Sequence, residues 1–368
     1  MRVGVVGGGQ LGRMLGLAGL PLGLDFVFLD PSPEAPAAAV GEHIAAGFDE
    51  QPAIAELAAR CDVVTYEFEN VDVDSLVAAA GDTPVYPPPG ALATAQDRRH
   101  EKLAFEAAGI PVAPWQTVDG REDLDAACRA IGLPLIVKTR RLGYDGKGQQ
   151  RILTEADIPA AWEALGGVPL LAERLVAFDR EVSVIGSRGA DGTLACYPLT
   201  GNVHRGGILH TSCAPAADAG LQAPAEAHLR ALVERLDYRG TIAVEFFVAA
   251  GRLLGNEFAP RVHNSGHWTI EGAACSQFEN HLRAICGLPA GDCRARGHAG
   301  MLNLIGAMPA AAGILAVPDA HLHDYGKSPR PGRKLGHVTV VADSAEERDR
   351  CLARLEALVA AGNENHPL

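Results

Sequence analysis

The chain has 368 residues, of which 48% are hydrophobic and 21% charged, enough apolar material for two or three packed domains and too much for a disordered polypeptide. With 45 acidic against 32 basic residues its net charge is −13, so its overall field repels nucleic acid and anionic membranes, and any anionic ligand must be gathered by a local basic cluster. Eight cysteines without a Cys-x-x-Cys pair, no long apolar run and no leader-like start argue against structural zinc, disulfides, a membrane span and secretion, and give the expectation of a cytoplasmic protein.

Residues 1–96 alternate β-rich runs at Val3–Val6, Phe26–Asp30 and Val63–Phe68 with helical patterns, which predicts a parallel sheet wrapped by helices. Leu11, Met14, Leu15 and Ala18 repeat at the spacing of one buried helical face. Before them, Gly7-Gly8-Gly9-Gln10-Leu11-Gly12 satisfies the dinucleotide fingerprint, with Asp30 closing the next strand. Three readings of this turn stay open: a nicotinamide site, a site for another small ligand at a helix terminus, and a tight structural turn. Pro87-Pro88-Pro89-Gly90 then breaks the chain ahead of a helix carrying Arg98 to Ala108.

A second segment, 97–180, shows a strand at Leu135–Lys138, a glycine-rich loop at Gly143–Gly148, a strand at Gln150–Leu153, a helix at Ile158–Leu165 and a strand at Leu170–Arg174. Lysines are scarce, only 102, 138, 147, 327 and 334, so each position where a compact ammonium survives is a candidate phosphate contact. Lys138 ends a strand, and the amides of a loop ordered by phosphates could fold over a nucleotide. The loop lacks the Gly-Lys-Ser/Thr ending of a Walker A motif, and an ordinary hairpin is the competing reading.

From 181 to 368 the runs Glu181–Ser187, Thr193–Leu199, Thr241–Val248 and Arg252–Ala259 predict a large, mostly antiparallel sheet with helices at 224–236, 276–286 and 345–361. Glu245 and Glu257 sit in apolar strands, where an unpaired carboxylate would be costly to bury. Together with Asn256 they could surround a Mg²⁺ that bridges phosphates; surface-facing strand glutamates are the alternative. His263 and His267 have an HxxxH spacing, but Ser265-Gly266 between them does not read as helix, so a polar loop for a phosphate or sugar fits better than zinc.

Four blocks then carry a resemblance: Gly-Gly-Gly-Gln-Leu-Gly-Arg-Met-Leu at 7–15, Gly-Tyr-Asp-Gly-Lys-Gly-Gln at 143–149, Asn-Glu-Phe-Ala-Pro-Arg-Val-His-Asn-Ser-Gly-His at 256–267, and Arg-Pro-Gly-Arg-Lys-Leu-Gly-His at 330–337. In order and spacing they resemble the N5-carboxyaminoimidazole ribonucleotide synthetase family of ATP-grasp enzymes. The resemblance implies a three-part α/β and α+β fold: an N-terminal Rossmann-like domain (1–96), a small central lobe (97–180) and a large C-terminal lobe (181–368). It implies a homodimer and a reaction in which ATP and bicarbonate form carboxyphosphate, whose carboxyl group passes to the exocyclic amine of 5-aminoimidazole ribonucleotide in purine biosynthesis.

Carried over by position, Arg98, Lys138 and the loop residues Gly143, Tyr144, Asp145, Gly146, Lys147, Gly148 and Gln149 resemble phosphate contacts. Glu173, Arg174, Leu175 and Val176 resemble the strand whose backbone reads adenine, Glu181 a ribose-side contact, and His204, Asn256 and Glu257 further nucleotide-site positions. Glu245 and Glu257 would hold Mg²⁺. The aminoimidazole nucleotide would meet Gln10, Glu67, Tyr144, Asp145, Arg261, Asn264, Ser265, Lys327, Arg333 and Lys334. Of these, Asp145, Tyr144, Glu67 and Lys327 are the expected catalytic positions, because the amine needs a carboxylate to orient it and the developing anion needs cations.

Overall fold

Four short apolar runs build the first sheet of the computed structural model, which describes residues 1–143, 146–217 and 219–365. β1 (Arg2–Val6), β2 (Asp25–Leu29), β3 (Glu42–Ile44) and β4 (Val63–Tyr66) lie parallel in the order β3-β2-β1-β4. The inner strands β1 and β2 are buried on both faces beyond their first residues, as their apolar runs require. The helix Gln10–Gly19 covers one face with Leu11, Met14 and Leu15, and Ile54, Leu57 and Leu76 cover the other.

The second sheet, order β5-β8-β6-β7, is antiparallel and formed by β5 (Trp115–Val118), β6 (Leu135–Thr139), β7 (Gln149–Ile152) and β8 (Leu170–Arg174). Alternation decides its two sides. Leu135 and Val137 pack under the helices Arg121–Ile131 and Ile158–Leu165, while Ile136 and Lys138 face the opposite way, alongside Glu173, the register partner of Ile136.

The third sheet has nine strands, all paired antiparallel: β9 (Arg180–Arg188), β10 (Leu194–Cys196), β11 (Thr200–Arg205), β12 (Ile208–Ala214), β13 (Gly240–Ala249), β14 (Arg252–Ala259), β15 (His298–Ile305), β16 (Ala320–Asp324) and β17 (Lys334–Ala342). Its order is β14-β13-β9-β11-β12-β15-β17-β16, with β10 on β9. The strand expected over 193–199 shrinks to Leu194–Cys196, and the β11–β12 hairpin stands where no element was expected. The helix expected at 224–236 begins earlier, at Ala219, with Pro224 inside it, and the last helix runs on to Asn365. Among the described residues no helix is long and apolar enough to cross a membrane.

The helix Gln277–Ile285, capped by Ser276, joins the first sheet to the third: Phe278 and Leu282 share one core with Leu11 and Leu15. On it, His281 accepts from the Thr241 amide through Nδ1 at 3.1 Å, so its Nε2–H donates to Thr65 Oγ1 at 2.9 Å. Burial pushes this imidazole down to about 3. It stays neutral in the fold while the unfolded chain takes up a proton below about 6.5, so its stabilising share is present above that pH and is lost as pH falls toward 3. Urea midpoints should therefore drop on acidification. His281→Gln should remove up to about 1.4 kcal/mol per pH unit from that slope, and an unchanged slope would overturn the assignment.

Candidate active site

At the glycine turn the backbone approaches its own side chains too closely for a Cβ. One placed on Gly7, whose φ is +114°, would lie 2.5 Å from Glu67 Cγ. The Gly8 amide donates to Asp30 Oδ2 at 2.9 Å and the Gly9 amide to Glu67 Oε1 at 2.7 Å. Those amides, which a pyrophosphate would need, are occupied by carboxylates of the chain itself, so the nicotinamide reading loses its support. Burial raises the Glu67 carboxyl, against the pull of the Gly9 amide, Arg261 and Lys327.

Beside this turn, Gln10 Oε1 accepts from Lys327 Nζ, joining residues from opposite ends of the chain. Lys327 is brought down to about 8, first by burial and then by the charges of Arg333 and Lys334, with Glu67 opposing. Arg333 donates through Nη1 to Ser328 O at 3.1 Å and so braces the loop that presents Lys327.

A cavity of about 700 Å³ opens between the second and third sheets. On its second-sheet wall, Lys138 Nζ donates to Glu173 Oε1, and Lys102 Nζ lies 3.1 Å from Glu173 Oε2. Burial alone would raise Glu173, but the two lysines hold it at about 2. The sequence reading gave Glu173 a backbone role in adenine recognition; its side chain is in addition the shared counter-ion of two buried ammonium groups.

On the opposite wall, Glu245 of β13 and Glu257 of β14 are direct cross-strand partners. Glu245 pairs with His263 Nε2 at 3.2 Å, and Glu257 with Arg98 Nη1 at 3.4 Å. Burial and the Glu257 charge lift Glu245 above the usual carboxylate range, whereas Glu257, which burial would also raise, is lowered by Arg98 and Lys138. The Glu257 side chain is 46% exposed and lines the cleft, whose walls desolvate it. Both line the cavity, so neither is a glutamate facing outer solvent. Two hard oxygen donors, with phosphate and water completing the shell, fit Mg²⁺. Among the described residues no group of three or more His, Cys, Asp or Glu could hold a metal.

His204 Nδ1 and Glu181 Oε2 pair at 2.7 Å on the same wall, and hydrogen bonding to Glu181 raises His204 against its burial. His263 bonds Ser265 Oγ through Nδ1 at 2.8 Å, and His267 is buried beside Gln277, so the HxxxH pair is structural rather than zinc-binding. Neither amide atom of the Asn264 side chain, though buried, has a partner within the protein, a pattern that points to a ligand. Arg261 Nε comes within 2.9 Å of Glu69 Oε1 without the alignment of a hydrogen bond.

Of the sequence-predicted residues, Gln10, Arg98, Lys138, Gly143, Gly146, Lys147, Gln149, the run Glu173 to Val176, Glu181, His204, Glu245, Asn256, Glu257, Arg261, Asn264 and Lys334 all line the cavity. Glu67 and Lys327 sit behind Gln10, at the glycine turn. Ser265 is fully buried and bonded to Ser183 Oγ at 2.8 Å as well as to His263, so it backs the site rather than faces it. Tyr144 and Asp145 lie outside the described residues. Glu101 and Glu69 were missed, while Lys102, expected as a phosphate contact, and His263, expected in a polar ligand loop, line the cavity paired with Glu173 and Glu245; the spacing of Arg98, Glu101 and Lys102 on one helical face was the available signal for Glu101.

Comparison with known proteins agrees with this layout. Three family models match: the ribonucleotide synthetase preATP-grasp domain over residues 1–96, the ATP-grasp domain over 103–278, and the phosphoribosylaminoimidazole carboxylase C-terminal domain over 299–350. The N5-carboxyaminoimidazole ribonucleotide synthase of Pseudomonas aeruginosa is 51% identical over 98% of this chain and 100% of its own length. The crystal structure of the Thermus thermophilus N5-carboxyaminoimidazole ribonucleotide synthetase superposes with a TM-score of 0.94 at 52% identity, covering 97% of this chain and 98% of that one. That of an Aspergillus clavatus N5-carboxyaminoimidazole synthase, in complex with ADP and 5-aminoimidazole ribonucleotide, superposes with a TM-score of 0.91 at 35% identity, covering 98% of both. The likeness takes in the glycine turn and both walls of the cavity, and the chain belongs to the N5-carboxyaminoimidazole ribonucleotide synthase family of ATP-grasp ligases.

Proposed function

We propose that the chain couples ATP cleavage to carboxylation of the exocyclic amine of 5-aminoimidazole ribonucleotide by bicarbonate, releasing ADP and phosphate, as a step of purine biosynthesis. The observation that carries this reading is one continuous cleft. It sets Arg98, Lys138 and the Glu245–Glu257 pair next to Arg261, Asn264 and Lys334, with Lys327 and Glu67 at its edge.

In the first half-reaction a bicarbonate oxygen attacks the γ-phosphorus, the bond to the ADP oxygen breaks, and carboxyphosphate forms. Lys138 and Arg98 hold the phosphates in line, and Glu245 and Glu257 would hold Mg²⁺, which when bound neutralises charge on phosphate oxygens. In the second, the amine nitrogen attacks the carboxyl carbon, phosphate leaves with its oxygen, and the amine loses a proton. Glu67, raised by burial and set at the glycine turn, orients the amine together with Asp145, and Lys327 supplies positive charge for the developing anion. Tyr144 and Asp145 keep their catalytic places on the strength of the motif.

The reading includes the three-part division at 96/97 and 180/181, a homodimer and a cytoplasmic location. The preATP-grasp match over residues 1–96 supports the first boundary and family membership the homodimer, and eight free cysteines among the described residues fit a reducing compartment. The test is ADP release in Mg²⁺ and bicarbonate with and without 5-aminoimidazole ribonucleotide, alongside isotopic carbon from bicarbonate in the product. Release that depends on the ribonucleotide and carries label into it is expected. ADP release indifferent to the ribonucleotide, with no labelled product, would overturn the reading.

A further inference from the structure

The ladder between β13 and β14 contains an irregularity. Glu245 pairs with Glu257 and Phe246 with Gly255, which leaves Asn256 as the extra residue of a β-bulge. A bulge breaks the strict alternation of side chains, and here both Asn256 and Glu257 line the cleft. Backbone groups at a bulge drop out of the ladder and need other partners.

One helix supplies them. Arg98, Glu101, Lys102 and Phe105 fall on a single face of the helix Arg98–Ala107, at i, i+3, i+4 and i+7, and all four meet β14. Lys102 Nζ donates to the Asn256 carbonyl at 3.0 Å and lies 3.4 Å from the Gly255 carbonyl. Glu101 Oε1 accepts from the Phe258 amide at 2.7 Å, and the Phe105 ring meets Phe258 edge-on at 5.8 Å. Gly255 admits the helix this closely, since a Cβ there would lie 3.0 Å from Ile110 and 3.1 Å from Phe105. Lys102 is only 3% exposed, and no part of the proposed chemistry uses it or Glu101.

A buried ammonium is costly to desolvate, so it needs strong partners, and Lys102 has them on both walls. Its bond to Glu173 on β8 and its bonds to the bulge on β14 span the cleft from the adenine edge to the carboxylate pair. We propose that Lys102 is a positioning residue: it pins the bulge that turns Asn256 and Glu257 to the same side, and so sets the geometry in which Glu245 and Glu257 take a divalent cation together with nucleotide. Glu101 is its second anchor. The inference rests on the reading of Glu245 and Glu257 as the cation ligands.

The test reads cation binding rather than turnover. Affinity for Mn²⁺ in the presence of a non-hydrolysable ATP analogue is followed from the electron paramagnetic resonance of the free ion, and metal-free affinity for the analogue is measured by calorimetry in chelator. Lys102→Met should weaken Mn²⁺ about ten-fold, as loss of an outer support does elsewhere, while metal-free affinity changes by less than about three-fold. Glu257→Gln is the control for the underlying reading. Unchanged Mn²⁺ affinity in Glu257→Gln would remove the cation site itself. A loss in Glu257→Gln with none in Lys102→Met would overturn the positioning role alone. Equal losses with and without metal in Lys102→Met would also overturn it, because the lysine would then act through Glu173 and Lys138. If Lys102→Met does not fold, Glu101→Leu decides: weaker Mn²⁺ binding upholds the anchored bulge and unchanged binding rejects it.

Discussion

Glu257→Gln should lower ATP-dependent turnover by about 10²–10³-fold, with Glu245→Gln close behind, while the fold and the affinity for 5-aminoimidazole ribonucleotide persist. Each change removes one of two hard anions that face each other across β13 and β14. Glu257→Gln has a further effect: the Arg98 guanidinium, proposed to hold phosphate, loses the carboxylate it pairs with on β14. Two adjacent carboxylates in a desolvated cleft repel each other, which is why burial and the Glu257 charge hold Glu245 above the usual carboxylate range. Losing one charge therefore relieves strain within the protein, and stability should hold or rise slightly in a thermal melt. Undiminished ADP release in both variants at low Mg²⁺ would show that the cation is held elsewhere.

Lys327→Ala is expected to raise KM for 5-aminoimidazole ribonucleotide, or lower its carboxylation rate, by about 10- to 100-fold, while ATP affinity measured by calorimetry stays within about two-fold. Lys327 is separated from the Lys138–Glu173 wall and bonded instead to Gln10 at the glycine turn. Its ammonium, lowered to about 8 by burial, carries charge below that pH and loses it above. The pH profile of kcat/KM for the ribonucleotide should accordingly fall as pH rises through about 8, and Lys327→Arg, which stays charged, should move that limb upward. A collapse of ATP binding in Lys327→Ala, with ribonucleotide dependence untouched, would assign the lysine to the nucleotide instead.

Much of this arrangement is legible in the sequence wherever one periodicity dominates. The strands Leu170–Arg174 and Arg252–Ala259 and the helix Ile158–Leu165 match their expected ranges because apolar spacing and flanking glycines or acids agree. The β11–β12 hairpin escaped because its strands mix Asn202, His204, His210 and Ser212 into their faces, and most of the partners that make those polar groups tolerable come from elsewhere: Asn202 bonds Ser183, His204 pairs with Glu181, and His210 bonds Glu356. Glu67 and Lys327 could be placed only by resemblance, since nothing local shows that β4 and a loop near the C-terminus converge on one turn. Lys102 illustrates the opposite failure. Its helical spacing was visible, but a buried lysine has meaning only through partners on two other strands.

The helix Gln277–Ile285 bears on how members of this family could be recombined. Its Phe278 and Leu282 complete a core whose other half is Leu11, Leu15, Phe26 and Phe28, and His281 ties Thr65 of the first sheet to Thr241 of the third. Two stretches far apart in the chain, with Thr65 and His281 separated by 216 positions, thus form one packing unit. A chimera that exchanged only residues 1–96 between two relatives would place mismatched side chains against Phe278 and Leu282, where small volume errors are strongly felt. Transplanting the first sheet together with residues 262–285 keeps that unit whole, so the natural point of exchange in this chain is a discontinuous segment rather than the proline-rich boundary at residues 87–90.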